Sequence, residues 1–65
     1  MSKYFAWYDN QSDPTGAPFW EGAGWVEAET PQEAARKAKA DGWWTTVCVT
    51  TSTETPTEAT ILAEV

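Results

Sequence analysis

Apolar and polar positions along this chain follow two different rhythms, and the changes of rhythm mark five elements. The run KYFAWYD (Lys3–Asp9) is aromatic or apolar on both alternating faces, the pattern of a strand covered on both sides. GWVEAET (Gly24–Thr30) alternates, with Trp25, Glu27 and Glu29 on one face and Val26 and Ala28 on the other. WWTTVCVTT (43–51) is rich in the β-branched and aromatic residues that fit a pleated surface. EATILAEV (Glu58–Val65) sets Ala59, Ile61, Ala63 and Val65 against Glu58, Thr60, Leu62 and Glu64.

Between the second and third of these runs the rhythm becomes helical. Thr30 is a suitable N-cap, Pro31 fits the first turn, and Glu33 follows Thr30 by three, which completes a capping-box pattern. EAARKAKA favours helix strongly, and Gly42 suits the position just past its end. Glu33 precedes Lys37 by four, and Arg36, Lys37 and Lys39 complement the negative end of the helix dipole. The spacing predicts a helix from Pro31 to about Asp41. NQSDPTGAPFWEGA (10–23) is dense in turn formers and reads as a long hairpin loop, and STETPT (52–57) as a shorter turn.

The order is therefore β-β-α-β-β, an α+β domain with a four-stranded sheet and one helix on one face. The first and fourth strands are apolar on both faces near their middles (Phe5–Trp7 and Ile61–Ala63), which predicts that they are central neighbours in the order 2-1-4-3. That arrangement resembles the β-grasp topology of ubiquitin-like and immunoglobulin-binding domains, a resemblance of topology that carries no sequence motif with it. The all-antiparallel order 2-1-3-4 stays open, because Val47–Val49 would also serve a central strand.

Composition then constrains the core. Sixty-five residues make one domain, residues 1–65, which buries only about 60% of its unfolded surface. Only six residues are Val, Ile or Leu, whereas nine are aromatic and each ring buries roughly 150–250 Å². Most of the aromatic residues are thus expected to be structural. The helix offers only alanines as its apolar residues (Ala34, Ala35, Ala38, Ala40), so it can lie close to Val26, Ala28, Val47, Val49, Ile61 and one aromatic set of the first strand. Alternation places Trp43 with that core and Trp44 on the opposite face.

That opposite face has no second helix to cover it. Trp25, Glu27 and Glu29, then Trp44, Thr46 and Cys48, then Glu58, Leu62 and Glu64 give it a mixed aromatic and acidic character, with Trp20 in the adjoining loop. The alternative is that the loop bearing Phe19 and Trp20 folds over this face and buries it. Either reading gives the apolar residues of this face a role, since a large exposed apolar patch without a purpose is uncommon.

Chemistry is excluded more easily than it is assigned. There is no histidine, the three serines have no evident base, and one cysteine cannot form an internal disulfide. Glu27 and Glu29 lie about 6.5–7 Å apart along a strand. That spacing superficially fits a glycosidase pair, but same-face glutamates more often form a solvated strand. Asp9, Asn10 and Asp13 lack the ligand pattern of a calcium loop and suit turns better. The expectation is a non-enzyme without metal or cofactor.

The net charge of −6 argues against direct nucleic-acid binding. No run approaches a membrane span or a secretory signal, so a cytoplasmic location is the default expectation. Binding remains. The first reading is a protein-interaction module, an inhibitor or adaptor of the small acidic kind that phages direct at host proteins. It would dock a basic or mixed protein partner, or a second copy of itself, through Trp20, Trp25, Glu27, Glu29, Trp44, Glu58, Leu62 and Glu64. The second is a carbohydrate-binding module that stacks sugars on Trp20, Trp25 and Trp44. The third is a nucleic-acid mimic in which Glu27, Glu29, Glu58 and Glu64 imitate phosphates.

Overall fold

A computed structural model describes residues 2–42 and 46–65 of the chain. Trp43 and Trp44, the expected core and open-face halves of the tryptophan doublet, lie outside the described residues. The elements are β1 (Ser2–Asp9), β2 (Trp20–Ala28), α1 (Pro31–Ala40), β3 (Val47–Thr50) and β4 (Ala63–Glu64). They form a four-stranded antiparallel sheet in the order β2-β1-β3-β4, with the helix packed on one side.

The favoured order 2-1-4-3 is therefore corrected, and the β-grasp likeness goes with it. β1 pairs with β3, not β4, through Phe5↔Thr50, Ala6↔Val49, Trp7↔Cys48 and Tyr8↔Val47. The physical reason is the coverage of β3. All four of its residues are buried, so it takes a central position, while the two-residue β4 takes the edge. Val47 and Val65 exchange both backbone hydrogen bonds, at 2.9 and 2.8 Å, which holds the chain end against β3.

The fourth predicted strand is also shorter than its alternation suggests. Residues 58–60 form a turn instead, in which the Thr60 and Ile61 amides both donate to the Thr57 carbonyl at 3.0 and 3.1 Å. The Thr57 amide in turn donates to the Thr60 hydroxyl at 2.8 Å. Short threonine side chains offer the backbone this local alternative to a ladder, and here the local bonds win.

The helix follows its sequence closely. The Thr30 hydroxyl accepts from the Glu33 amide at 3.1 Å, and the Asp41 amide closes the other end on the Lys37 carbonyl at 3.2 Å. Ala34, Ala35 and Ala38 are buried, whereas Ala40 faces solvent. The shallow alanine face lets the helix sit on Tyr4, Ala6, Ala28, Val47 and Val49, with Tyr8, Val26, Ala63 and Val65 packed around them. Ile61, expected in this core, is replaced by Ala63 and Val65 because the strand begins later. Lys37 ties the helix to the end of β2, donating to the Glu27 carbonyl at 3.0 Å.

β2 starts four residues before the predicted Gly24, and a β-bulge explains why. The register runs Ala6↔Gly24 and then Trp7↔Gly22, so Ala23 is the extra residue. Gly24 has φ +111°, a conformation that L side chains rarely adopt, and glycine there lets the bulge form. One extra residue reverses the alternation. Trp20 and Trp25, five apart and normally on opposite faces, therefore share one face of the sheet.

Candidate aromatic and acidic binding face

The face turned away from the helix is built on β1 and β2. Phe5, Trp7 and Asp9 alternate outward from β1, opposite Trp25, Gly22 and Trp20 of β2. Phe5 is the hub. Its ring centroid lies 4.9 Å from Trp7 in a tilted contact and 5.1 Å from Trp25 edge to face. Gly22 makes room for this stack, since a Cβ there would come within 3.0 Å of the Phe5 ring.

Trp7 and Trp25 divide the work. Trp7 is 6% exposed, and its indole N–H donates to the Thr50 hydroxyl at 3.0 Å. Thr50, 1% exposed, donates its own hydrogen bond to the Ser52 carbonyl at 2.9 Å. Trp7 is thus a structural ring under the surface. Trp25 is 52% exposed and rests on Phe5, so its open side is presented in one orientation.

The 10–19 loop is held by bonds to its own backbone and to neighbouring side chains, and its Pro18 borders the cleft beside Trp20. The Asp9 carboxylate accepts from the amides of Gln11 and Phe19, at 2.8 and 3.0 Å, and the Asn10 amide donates to the Phe19 carbonyl at 3.1 Å. Asn10 accepts from the Ser12 amide, and Asp13 from the amide and hydroxyl of Thr15. The Thr15 bonds hold the Asp13 carboxyl below the usual carboxylate range, the hydroxyl contributing most. Asp9 ends β1, and its carboxylate, like the side chains of Asn10 and Asp13, holds the backbone of the following loop. On the other side of β1, Tyr8 donates to Glu21, which also accepts from Asn10 at 2.8 Å. The Glu21 carboxylate, chiefly through that bond, pushes the Tyr8 hydroxyl pKa up.

The β3–β4 connection borders the same face. Pro56 is buried, and together with Pro18, Trp20, Ile61, Glu58 and Glu64 it lines a cleft of about 460 Å³. That volume falls within the range of ligand-sized clefts, about 300–1,000 Å³. Cys48 pairs with Glu64 across β3 and β4 and is wholly buried. Burial first, and then the Glu64 charge, push its thiol up to about 12, which keeps it protonated and inert.

The eight sequence-predicted residues thus meet different fates. Trp20, Trp25, Glu27 and Glu64 stand on the open face by strand register. Leu62, 49% exposed, directly precedes β4 on the alternation of Glu64. Glu58 reaches the same region from the 58–60 turn, so its place on a strand face is corrected. Glu29 lies past the end of β2, in the bend before the helix, and does not share the face of Glu27. Trp44 lies outside the described residues. Phe5, Pro18, Pro56 and Ile61 were not singled out, although Phe5 orients Trp25 and the other three line the cleft. Pro56 leaves no local trace of its burial, because its partners are distant in sequence.

Charge is segregated by side. Arg36, Lys37 and Lys39 ride on the helix, and Lys3 stands opposite Glu27 at the far end of β1 from Trp20. Among the described residues the only ion pair joins Lys37 to Glu33 at 3.4 Å, exposed on the helix surface. Among the same residues no group of three or more His, Cys, Asp or Glu side chains could hold a metal ion, and no helix is long and apolar enough to cross a membrane. No protein-family model, curated protein or solved structure matches this chain.

Proposed function

We propose that this protein is a non-enzymatic protein-interaction module that binds its partner through the sheet face opposite the helix. The observation that carries the reading is Trp25, half exposed and braced edge-on by Phe5. Tryptophan is among the residues that most often anchor protein interfaces, and a ring already held in place loses little rotamer freedom on binding. Leu62 adds apolar area, and the Trp20 cleft adds a recess beside it. A small acidic domain with one such face suits an inhibitor or adaptor.

Ring geometry favours this over sugar binding. Phe5 and Trp25 are perpendicular and Trp7 is buried beneath them, so the stack presents Trp25 as a single exposed indole and not a flat platform of several rings for a sugar. The phosphate-mimic reading loses its regular array, because Glu29 and Glu58 leave the strands and Glu27 faces Lys3.

Selection from a random-peptide display library tests the proposal. Binders should emerge that lose at least about tenfold in affinity to Trp25→Ala and none to Gln32→Ala on the helix. An absence of binders, or binders indifferent to Trp25→Ala, would overturn it. Titration with soluble oligosaccharides, followed by tryptophan emission, should give no shift.

A further inference from the structure

We infer that the cleft beside Trp20 is the specificity pocket of this face and that it takes a cationic side chain, arginine or lysine, from a peptide segment of the partner. The inference rests on the protein-binding reading above and narrows it to a partner chemistry. The cleft joins two kinds of wall. Pro18, Trp20, Pro56 and Ile61 are apolar, and the acidic residues Glu58 and Glu64 line the same space. A long methylene stem with a charged head matches that combination, since its stem packs on apolar surface while its head meets a carboxylate.

Charge complementarity is specific to this end of the face. Neither Glu58 nor Glu64 has an ion-pair partner among the described residues. Three of the four basic residues are on the helix, on the far side of the sheet. The fourth, Lys3, is six positions along β1 from Asp9, the register partner of Trp20, which is roughly 20 Å of strand. The cleft's carboxylates are therefore not neutralised from within the described fold, and the overall charge of −6 draws a basic segment toward it. Trp20 adds a ring face over which a guanidinium or ammonium can lie.

The cleft also has a defined shape before any partner arrives. Bonds between Asp9, Asn10 and Phe19 close the loop neck beside Pro18 and Trp20. The opposite wall is set by the Thr57–Thr60 turn, which carries Glu58. A pocket already formed spares the partner the cost of ordering it.

The same display selection, read for composition, separates the two claims. Selected peptides should be enriched in Arg or Lys over the starting library, and their binding should weaken as salt rises. Glu58→Gln and Glu64→Gln should each weaken a selected peptide about three- to tenfold, and Trp20→Ala by at least about tenfold. Far-UV circular dichroism of each variant establishes that the fold is kept. The two glutamine variants conserve shape, so they decide the matter if Trp20→Ala misfolds. Binders that need Trp25 but show no Arg or Lys enrichment, or that ignore both glutamine variants, would overturn the cationic pocket and leave the protein-binding face standing. No binders at all would overturn both.

Discussion

Replacing Thr50 by valine should be far more damaging than its conservative appearance suggests. Valine fills nearly the same volume, but it removes the hydroxyl that accepts from the Trp7 indole at 3.0 Å. Trp7 is 6% exposed and Thr50 1%, so water has no ready access to the stranded N–H. Leaving a buried donor unsatisfied costs about 1–3 kcal/mol. Loss of the second bond, from Thr50 to the carbonyl of exposed Ser52, adds about 0.5 kcal/mol because water can serve that carbonyl. The total is roughly 1.5–3.5 kcal/mol, and at about 4–8 °C per kcal/mol for a chain of this size the midpoint should fall by roughly 6–28 °C.

Urea titration followed by far-UV circular dichroism measures this without relying on tryptophan emission. Thr50→Ser keeps the hydroxyl and loses one methyl, so it should cost only about 1 kcal/mol. In a Trp7→Phe background the indole donor is gone, and Thr50→Val should then cost at least about 1 kcal/mol less than in the parent. The reasoning is refuted if Thr50→Val stays within about 0.5 kcal/mol of the parent, or if its cost is the same with phenylalanine at position 7.

Three further predictions bear on other parts of the fold. Gly22→Ala should destabilise by about 1–2 kcal/mol instead of stabilising as a Gly→Ala change in unstrained backbone can, because its Cβ would meet the Phe5 ring at 3.0 Å. Thermal melts should show that Phe5→Leu relieves most of the penalty. Thr30→Ala removes the cap that accepts from the Glu33 amide and should cost about 1 kcal/mol by denaturant titration. Cys48, raised from its ordinary 9.0 to about 12, favours the protonated folded state. Its contribution is complete below pH 9 and is lost as pH rises toward 12, and the raised Tyr8 acts in the same direction. Stability measured against pH should therefore fall on the alkaline side, less steeply in Cys48→Ala, and thiol reagents should label Cys48 only as fast as the protein opens.

How legible each part was depended on how local its causes are. The helix is specified by contacts within a few residues, Thr30 to Glu33 and Lys37 to Asp41, and the reading from the sequence located it closely. The faces of β3 followed from simple alternation, whereas alternation left open which set of β1 meets the helix, and Tyr4 and Ala6 do. The start of β2 did not, because a single bulged residue, Ala23, shifts the phase and carries Trp20 from the expected loop onto the sheet. Gly22 and Gly24 flank that residue and were the available sign, but they read equally well as loop glycines.

Strand order was the hardest part, since pairing between β1 and β3 spans the helix and depends on which strand is covered on both faces. The apolar Ile61 and Leu62 imitated a central strand, although hydrogen bonds at Thr57 and Thr60 hold the preceding residues in a turn. At the binding face the exposed members Trp25, Glu27, Leu62 and Glu64 were readable from strand periodicity. The cleft was not, because it forms only where the β3–β4 connection brings Pro56 and Glu58 to Trp20.

Indole N–H resonances offer the most direct test of the account's central claim, since the rings have separate roles. A peptide selected for binding should be titrated into isotopically labelled protein, with the Trp7, Trp20 and Trp25 signals assigned by single substitutions. Binding through the proposed face predicts large shifts at Trp20 and Trp25 and a small one at Trp7, whose N–H stays bonded to Thr50, together with backbone shifts at Glu58, Leu62 and Glu64. Shifts that centre on the helix around Gln32, Arg36 and Lys39 while Trp20 and Trp25 stay still would contradict it.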